Sequence, residues 1–131
     1  VSDNENTAPS AGSKVLVIDD SNTIRRSAEI FLKQGGFTVM LAEDGFDALA
    51  KLGDFKPDLV FCDILMPRLD GYQTCAIIKR NPEFAHVPVI MLSSKDGLFD
   101  KARGRMVGSQ DYLTKPFTKD QLLQAVRQHG A

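Results

Sequence analysis

Four short apolar runs in this 131-residue sequence end in polar residues able to bind ions or carry charge. Val15–Ile18 runs into Asp19–Asp20, Leu59–Cys62 into Asp63, Val87–Leu92 into Ser93–Ser94, and Tyr112–Leu113 into Thr114–Lys115. If these runs are strands of one parallel sheet, their ends lie along one edge and the three aspartates meet. At ~5 Å and an effective dielectric of ~20, each carboxylate pair repels by about 3 kcal/mol, so protons or a divalent cation must relieve the cluster. Oxygen ligands without His or Cys suit a hard ion such as Mg²⁺, held by one or two carboxylates together with waters and a phosphate. Lys115 adds a compact positive charge for an anionic oxygen, and the Ser93 hydroxyl can donate to another. These parts fit phosphoryl transfer, where positioning and charge neutralisation do most of the catalysis. A carboxylate can serve as the nucleophile and form an acyl phosphate. Spacing alone does not say which aspartate does so.

The elements that must position these residues alternate between two periods. The Val/Ile/Leu runs, together with Phe37–Leu41, read as strands buried on both faces. Between them lie helical stripes. Ile24, Ala28, Phe31 and Leu32 form the first, stopped by Gly35–Gly36; Phe46, Leu49 and Leu52 form the second, ended by Gly53; Tyr72, Ala76 and Ile77 form the third, closed by Asn81–Pro82. Gly97–Val107 is a poor but helical fourth. Thr118-x-x-Gln121 is a capping box ahead of Leu122, Leu123 and Val126. Five β-α units predict an α/β fold, a five-stranded parallel sheet doubly wound by five helices in the flavodoxin-like order 2-1-3-4-5. In that order ligands bind between strands 1 and 3, beside the aspartates.

Composition narrows the function. Apolar residues make up 43% and charged residues 25%, ordinary for a globular chain, and 16 Lys+Arg against 17 Asp+Glu leave a net charge of −1. That balance argues against nucleic acid as a partner. Cys62 and Cys75 are neither a zinc set nor a redox pair. The apolar runs are far short of the ~20 residues that membrane insertion needs, and no signal peptide is visible, so a cytoplasmic protein is expected. Residues 1–13 have little to bury and are expected to be a disordered N-terminal tail before a single domain at 14–131.

Read singly, these residues have plainer explanations. Asp20–Ser21 and Ser93–Ser94 could cap helices, Asp70–Gly71 could be a turn, and Lys115 and Tyr112 could be ordinary surface residues. What outweighs those explanations is their coincidence at one sheet edge. The charges Lys95, Lys101, Arg103 and Arg105 against Asp96 and Asp100 leave helix 4 with a positive face, either solvated or a docking surface for an acidic partner.

The segments Val15-Leu-Val-Ile-Asp19-Asp20-Ser21, Asp63-Ile-Leu-Met-Pro67-Arg-Leu-Asp70-Gly71, Met91-Leu-Ser93-Ser94 and Tyr112-Leu-Thr-Lys115-Pro116-Phe117 resemble the receiver domain of two-component response regulators. The resemblance implies that Asp63 is the phosphoryl acceptor. It further implies that Mg²⁺ is held by Asp20 and Asp63 directly, by Asp19 through water, and by the backbone carbonyl of Leu65. Lys115 would pair with the phosphoryl group, next to a cis Lys115–Pro116 peptide. Ser93 and Tyr112 would form the switch. A downstream effector would dock on the surface of helix 4, strand 5 and helix 5. Ser21–Arg26, Asp44–Ala50, Pro67–Cys75 and Ser93–Lys101 are similar, more narrowly, to stand-alone receivers of chemotaxis-like systems controlling type IV pilus twitching motility. That likeness implies a CheA-like histidine kinase as donor and a pilus-motility effector as target. The chain would then be no enzyme in the ordinary sense, catalysing only its own phosphorylation and dephosphorylation. No output module follows the last predicted helix, so signalling through partner binding is expected. Two alternatives are a pseudo-receiver scaffold and a Mg²⁺-dependent phosphohydrolase. The first is disfavoured because every acidic residue is present. The second is disfavoured because Leu65 stands where such enzymes carry a second carboxylate, and no cap insertion is present.

Overall fold

In the computed structural model, residues 12–94 and 100–130 are described. Five strands, β1 (Lys14–Ile18), β2 (Thr38–Ala42), β3 (Leu59–Asp63), β4 (Val89–Ser93) and β5 (Asp111–Thr114), alternate with five helices. The helices are α1 (Asn22–Gln34), α2 (Gly45–Phe55), α3 (Gly71–Arg80), α4 (Lys101–Val107) and α5 (Lys119–His129). The sheet is parallel throughout, in the order β2-β1-β3-β4-β5, as the sequence predicts. β1, β3 and β4 read as unbroken apolar runs because helices cover both of their faces.

Alternation along the strands divides the interior in two. Val15, Val17, Leu59, Phe61, Ile90 and Leu92 pack with Ala28 and Leu32 of α1 and with Leu122, Leu123 and Val126 of α5. Leu16, Ile18, Val60, Cys62, Val89 and Met91 pack with Ala48 and Leu52 of α2 and with Tyr72, Cys75 and Ile78 of α3. Val107 of α4 joins the second group from its rim. Both cysteines are buried, and burial raises both thiols well above their ordinary range.

The helix ends follow the capping rules. Ser21 Oγ accepts from the Ile24 N–H, and Asp70 and Thr118 each form a full capping box with Gln73 and Gln121. Two helical stripes differ from expectation. Phe46 is 52% exposed; α2 buries the expected Leu52 and packs Leu49 at the core edge, but its other buried positions are Gly45 and Ala48. That helix also runs through Gly53 and ends where Lys56 turns left-handed, at φ 53°. In α3 the buried positions are Tyr72, Thr74, Cys75 and Ile78, while Ile77 is exposed. The helix predicted over Gly97–Val107 forms from Lys101 onward; its part at 97–99, and the charges Lys95 and Asp96 before it, lie outside the described residues. The expected tail falls at residues 1–11 outside them too. Its last two residues are tied to the sheet side: Gly12 N–H donates to Gly36 O and Thr38 N–H to Ser13 O.

Candidate functional site

β1 and β3 are adjacent, so Asp19 and Asp20 emerge beside Asp63. One carboxylate oxygen from each lies within 4.8 Å of the others, an arrangement that could hold a metal ion. Asp19 and Asp63 are buried, whereas Asp20 is exposed. β5 brings Lys115 in from the far side, held by its N–H donating to Ser93 O at 2.7 Å. The Lys115 ammonium donates to Asp63 Oδ1 at 2.9 Å and to Asp19 Oδ2 at 3.1 Å. Burial alone would lower the Lys115 pKa, but the Asp63 and Asp19 carboxylates together outweigh it and raise it.

Asp63 bears the strain of the cluster. Burial first, then the Asp19 carboxylate, push its pKa from 3.8 to about 7, against the pull of Lys115. The donor set fits a hard divalent cation: three carboxylates, no nitrogen or sulfur, and a repulsion that such an ion relieves. The raised pKa has a direct consequence for stability. Between pH 3.8 and about 7 the folded chain keeps a proton that the unfolded chain has released, so Asp63 erodes stability as pH rises through that window. Asp63→Asn is therefore expected to stabilise the metal-free protein at pH 8, by on the order of 2 kcal/mol. The gain should shrink toward pH 4, which urea unfolding in EDTA across that range measures.

Ser93 is buried at the end of β4, its hydroxyl donating to Ser94 O at 3.3 Å. Ser94 Oγ is buried without a hydrogen bond among the described residues. Tyr112 lies one strand over, 38% exposed, with the Lys101 ammonium 5.8 Å from its ring centre. The Leu65 side chain is 57% exposed on the loop after Asp63. The Lys115–Pro116 peptide is cis. Thus Asp19, Asp20, Asp63 and Lys115 converge on one point, Ser93 ends the strand beside it, and Tyr112 stands further off at the surface.

Two residues that the sequence reading assigned no role shape this site. Gly71, read as part of a turn, opens α3 against the backbone of β3; a methyl there would overlap the Asp63 carbonyl oxygen and lie 2.8 Å from Ile64 Cα. A glycine at the first position of a helix, where capping needs none, was the available sign of close approach. Arg25, on α1, donates from Nη1 to the Asp19 carbonyl at 2.6 Å. Nothing in its sequence context marks it.

This sheet, with an acidic cluster and one lysine at its C-terminal edge, is that of a response regulator receiver domain. The sequence matches that family over residues 15–127, and the chain belongs to it. Among particular relatives, Protein PilG of Pseudomonas aeruginosa is 66% identical over 120 residues, which cover 92% of this chain and 89% of PilG. The Bacillus subtilis alkaline phosphatase synthesis transcriptional regulatory protein PhoP is 39% identical over 105 residues, spanning 80% of this chain but 43% of that longer protein. Vibrio cholerae chemotaxis protein CheY4 superposes with a TM-score of 0.86 at 31% identity, covering 91% of this chain and 99% of CheY4. Members of the family are phosphoacceptor signalling proteins rather than ordinary enzymes. Among the described residues no helix is long and apolar enough to cross a membrane.

Proposed function

We propose that the chain is a response regulator receiver that accepts a phosphoryl group on Asp63 from the phosphohistidine of a CheA-like kinase. A carboxylate oxygen of Asp63 attacks phosphorus, the P–N bond breaks, and the departing imidazole takes the electron pair and a proton. Asp19, Asp20 and Asp63, with the Leu65 carbonyl, would hold Mg²⁺. Bound there, the ion supplies the neutralising charge that lets an anionic donor approach three carboxylates. Lys115 is already shared between Asp63 and Asp19 and can turn its ammonium to a phosphoryl oxygen as the Asp63 charge moves outward. Ser93 and Tyr112 would carry the change to α4, β5 and α5, where a downstream effector docks. Similarity to PilG favours a chemotaxis-like pathway controlling type IV pilus twitching motility, in the cytoplasm. The observation that carries this reading is the meeting of three carboxylates and one ammonium at the β1/β3 edge.

The test is intact mass after incubation with acetyl phosphate and Mg²⁺. One added phosphoryl group is expected, absent with EDTA and absent in Asp63→Asn. An adduct that persists in Asp63→Asn would move the acceptor elsewhere, and no adduct in folded wild type would end the reading.

A further inference from the structure

Asp19 is tied down at each of its polar groups. Its N–H donates to Ala42 O at 3.1 Å, Oδ1 accepts from the Ser21 N–H at 2.8 Å, and Oδ2 accepts from Lys115 at 3.1 Å. Its carbonyl oxygen accepts from Arg25 Nη1 at 2.6 Å. That guanidinium folds back over the start of α1, its other terminal nitrogen 3.4 Å from Asn22 Oδ1. The positive end of the helix dipole disfavours a cation there, and α1 has no acidic residue in its first turn to compensate. The hydrogen bond to Asp19 and the neighbouring carboxylates are what hold it in place.

The carbonyl that Arg25 grips belongs to the peptide joining Asp19 to Asp20. Fixing that plane, with the following peptide held by the Ser21 N–H on Asp19 Oδ1, fixes the direction in which the Asp20 side chain leaves the backbone. Asp20 is the exposed one of the three carboxylates, so its placement depends most on its backbone. We propose that Arg25 is a positioning residue for the cation site: by clamping the Asp19–Asp20 peptide, it sets Asp20 where it could join Asp63 in holding a divalent ion. This rests on the reading of the three aspartates as a cation site. Electrostatics alone predicts the reverse, since removing a positive charge beside three carboxylates should tighten cation binding. The sign of the effect therefore separates the two accounts.

The experiment is titration of the purified protein with Mn²⁺, following the electron paramagnetic resonance signal of the free ion. Arg25→Met is expected to bind Mn²⁺ about 10-fold more weakly than wild type, the low end for a residue that orients a metal ligand. Arg25→Lys keeps the charge and one donor and should recover part of the loss. In an Asp20→Asn background, Arg25→Met should change little, because the residue it positions is already disabled. A folded Arg25→Met protein binding Mn²⁺ as tightly as wild type, or more tightly, overturns the proposal. So does a loss that adds fully to that of Asp20→Asn. If Arg25→Met fails to fold by circular dichroism, Arg25→Lys carries the same comparison in both backgrounds. Wild type that binds no Mn²⁺ defeats the cation-site reading itself, and this proposal with it.

Discussion

Lys115→Met should destabilise the metal-free protein by about 3 kcal/mol at pH 8, the usual cost of removing one partner from a buried ion pair. The lysine is the positive group hydrogen-bonded to both Asp19 and Asp63, and its side chain is mostly buried. Without it, two buried carboxylates face each other, and the Asp63 pKa, already about 7, must climb further. The sign with pH follows from that rise. Above it Asp63 is charged and the deficit is complete; below about pH 7 Asp63 keeps its proton in both proteins and the deficit shrinks. Urea unfolding at pH 8 and pH 4 checks this. Divalent cation should narrow the gap at pH 8, since the variant, with one positive charge fewer beside the carboxylates, binds it more tightly and gains more stability from it. A deficit independent of pH would mean that the lysine stem, rather than its charge, matters to the fold.

Gly71→Ala is the second substitution with a large expected effect. Its methyl would meet the Asp63 carbonyl oxygen and the Ile64 Cα, both main-chain atoms that cannot turn aside. Relief requires α3 to lift from β3, breaking the Gly71 N–H to Ile64 O hydrogen bond of 2.9 Å. A loss of at least about 3 kcal/mol is expected, at the upper end for overpacking. Urea unfolding measures it. Phosphorylation by acetyl phosphate should slow as well, because the shifted peptide carries Asp63. Gly45→Ala is the useful contrast. There the added methyl would meet side-chain rather than main-chain atoms, those of Thr74 and Leu69, so its cost should be smaller.

Much of this architecture was legible because burial on both faces leaves an unmistakable trace. β1, β3 and β4 are continuous apolar runs, and polar residues follow each one directly. β5 was faint because it is an edge strand alternating between half-buried and exposed residues, so only Tyr112 and Leu113 stood out. The second helix misled because its tight face is made of small residues. Gly45 and Ala48 pack inward, while the larger Phe46 is covered from outside by Arg68, whose guanidinium lies 5.3 Å from its ring centre. Apolar size points the wrong way where a helix sits close to its neighbour. At the site, the aspartates, Ser93 and Lys115 showed themselves by type and by strand end. Arg25 did not, because it acts on the backbone of another segment that only the folded chain brings near, and Gly71 offered no more than a glycine at a helix start.

The fourth helix is the shortest of the five. It has seven residues, its one buried residue is Gly104, and Met106 is almost wholly exposed. So short a helix does not persist by its own hydrogen bonds. Among the described residues its attachments include Asp100 N–H donating to the Tyr72 hydroxyl at 2.8 Å, Arg103 lying 4.3 Å over the Tyr72 ring and 3.6 Å from Asp70, Cys75 Sγ donating to Val107 O at 3.5 Å, and Val107 at the core edge. Bonds of this kind contribute about 1 kcal/mol each. A bias of about 1.4 kcal/mol multiplies a population ratio by ten. A rearrangement at the end of β4 worth one hydrogen bond is therefore enough to change what fraction of molecules present α4 in a given pose. β1 and β3, packed on both faces, would register almost nothing.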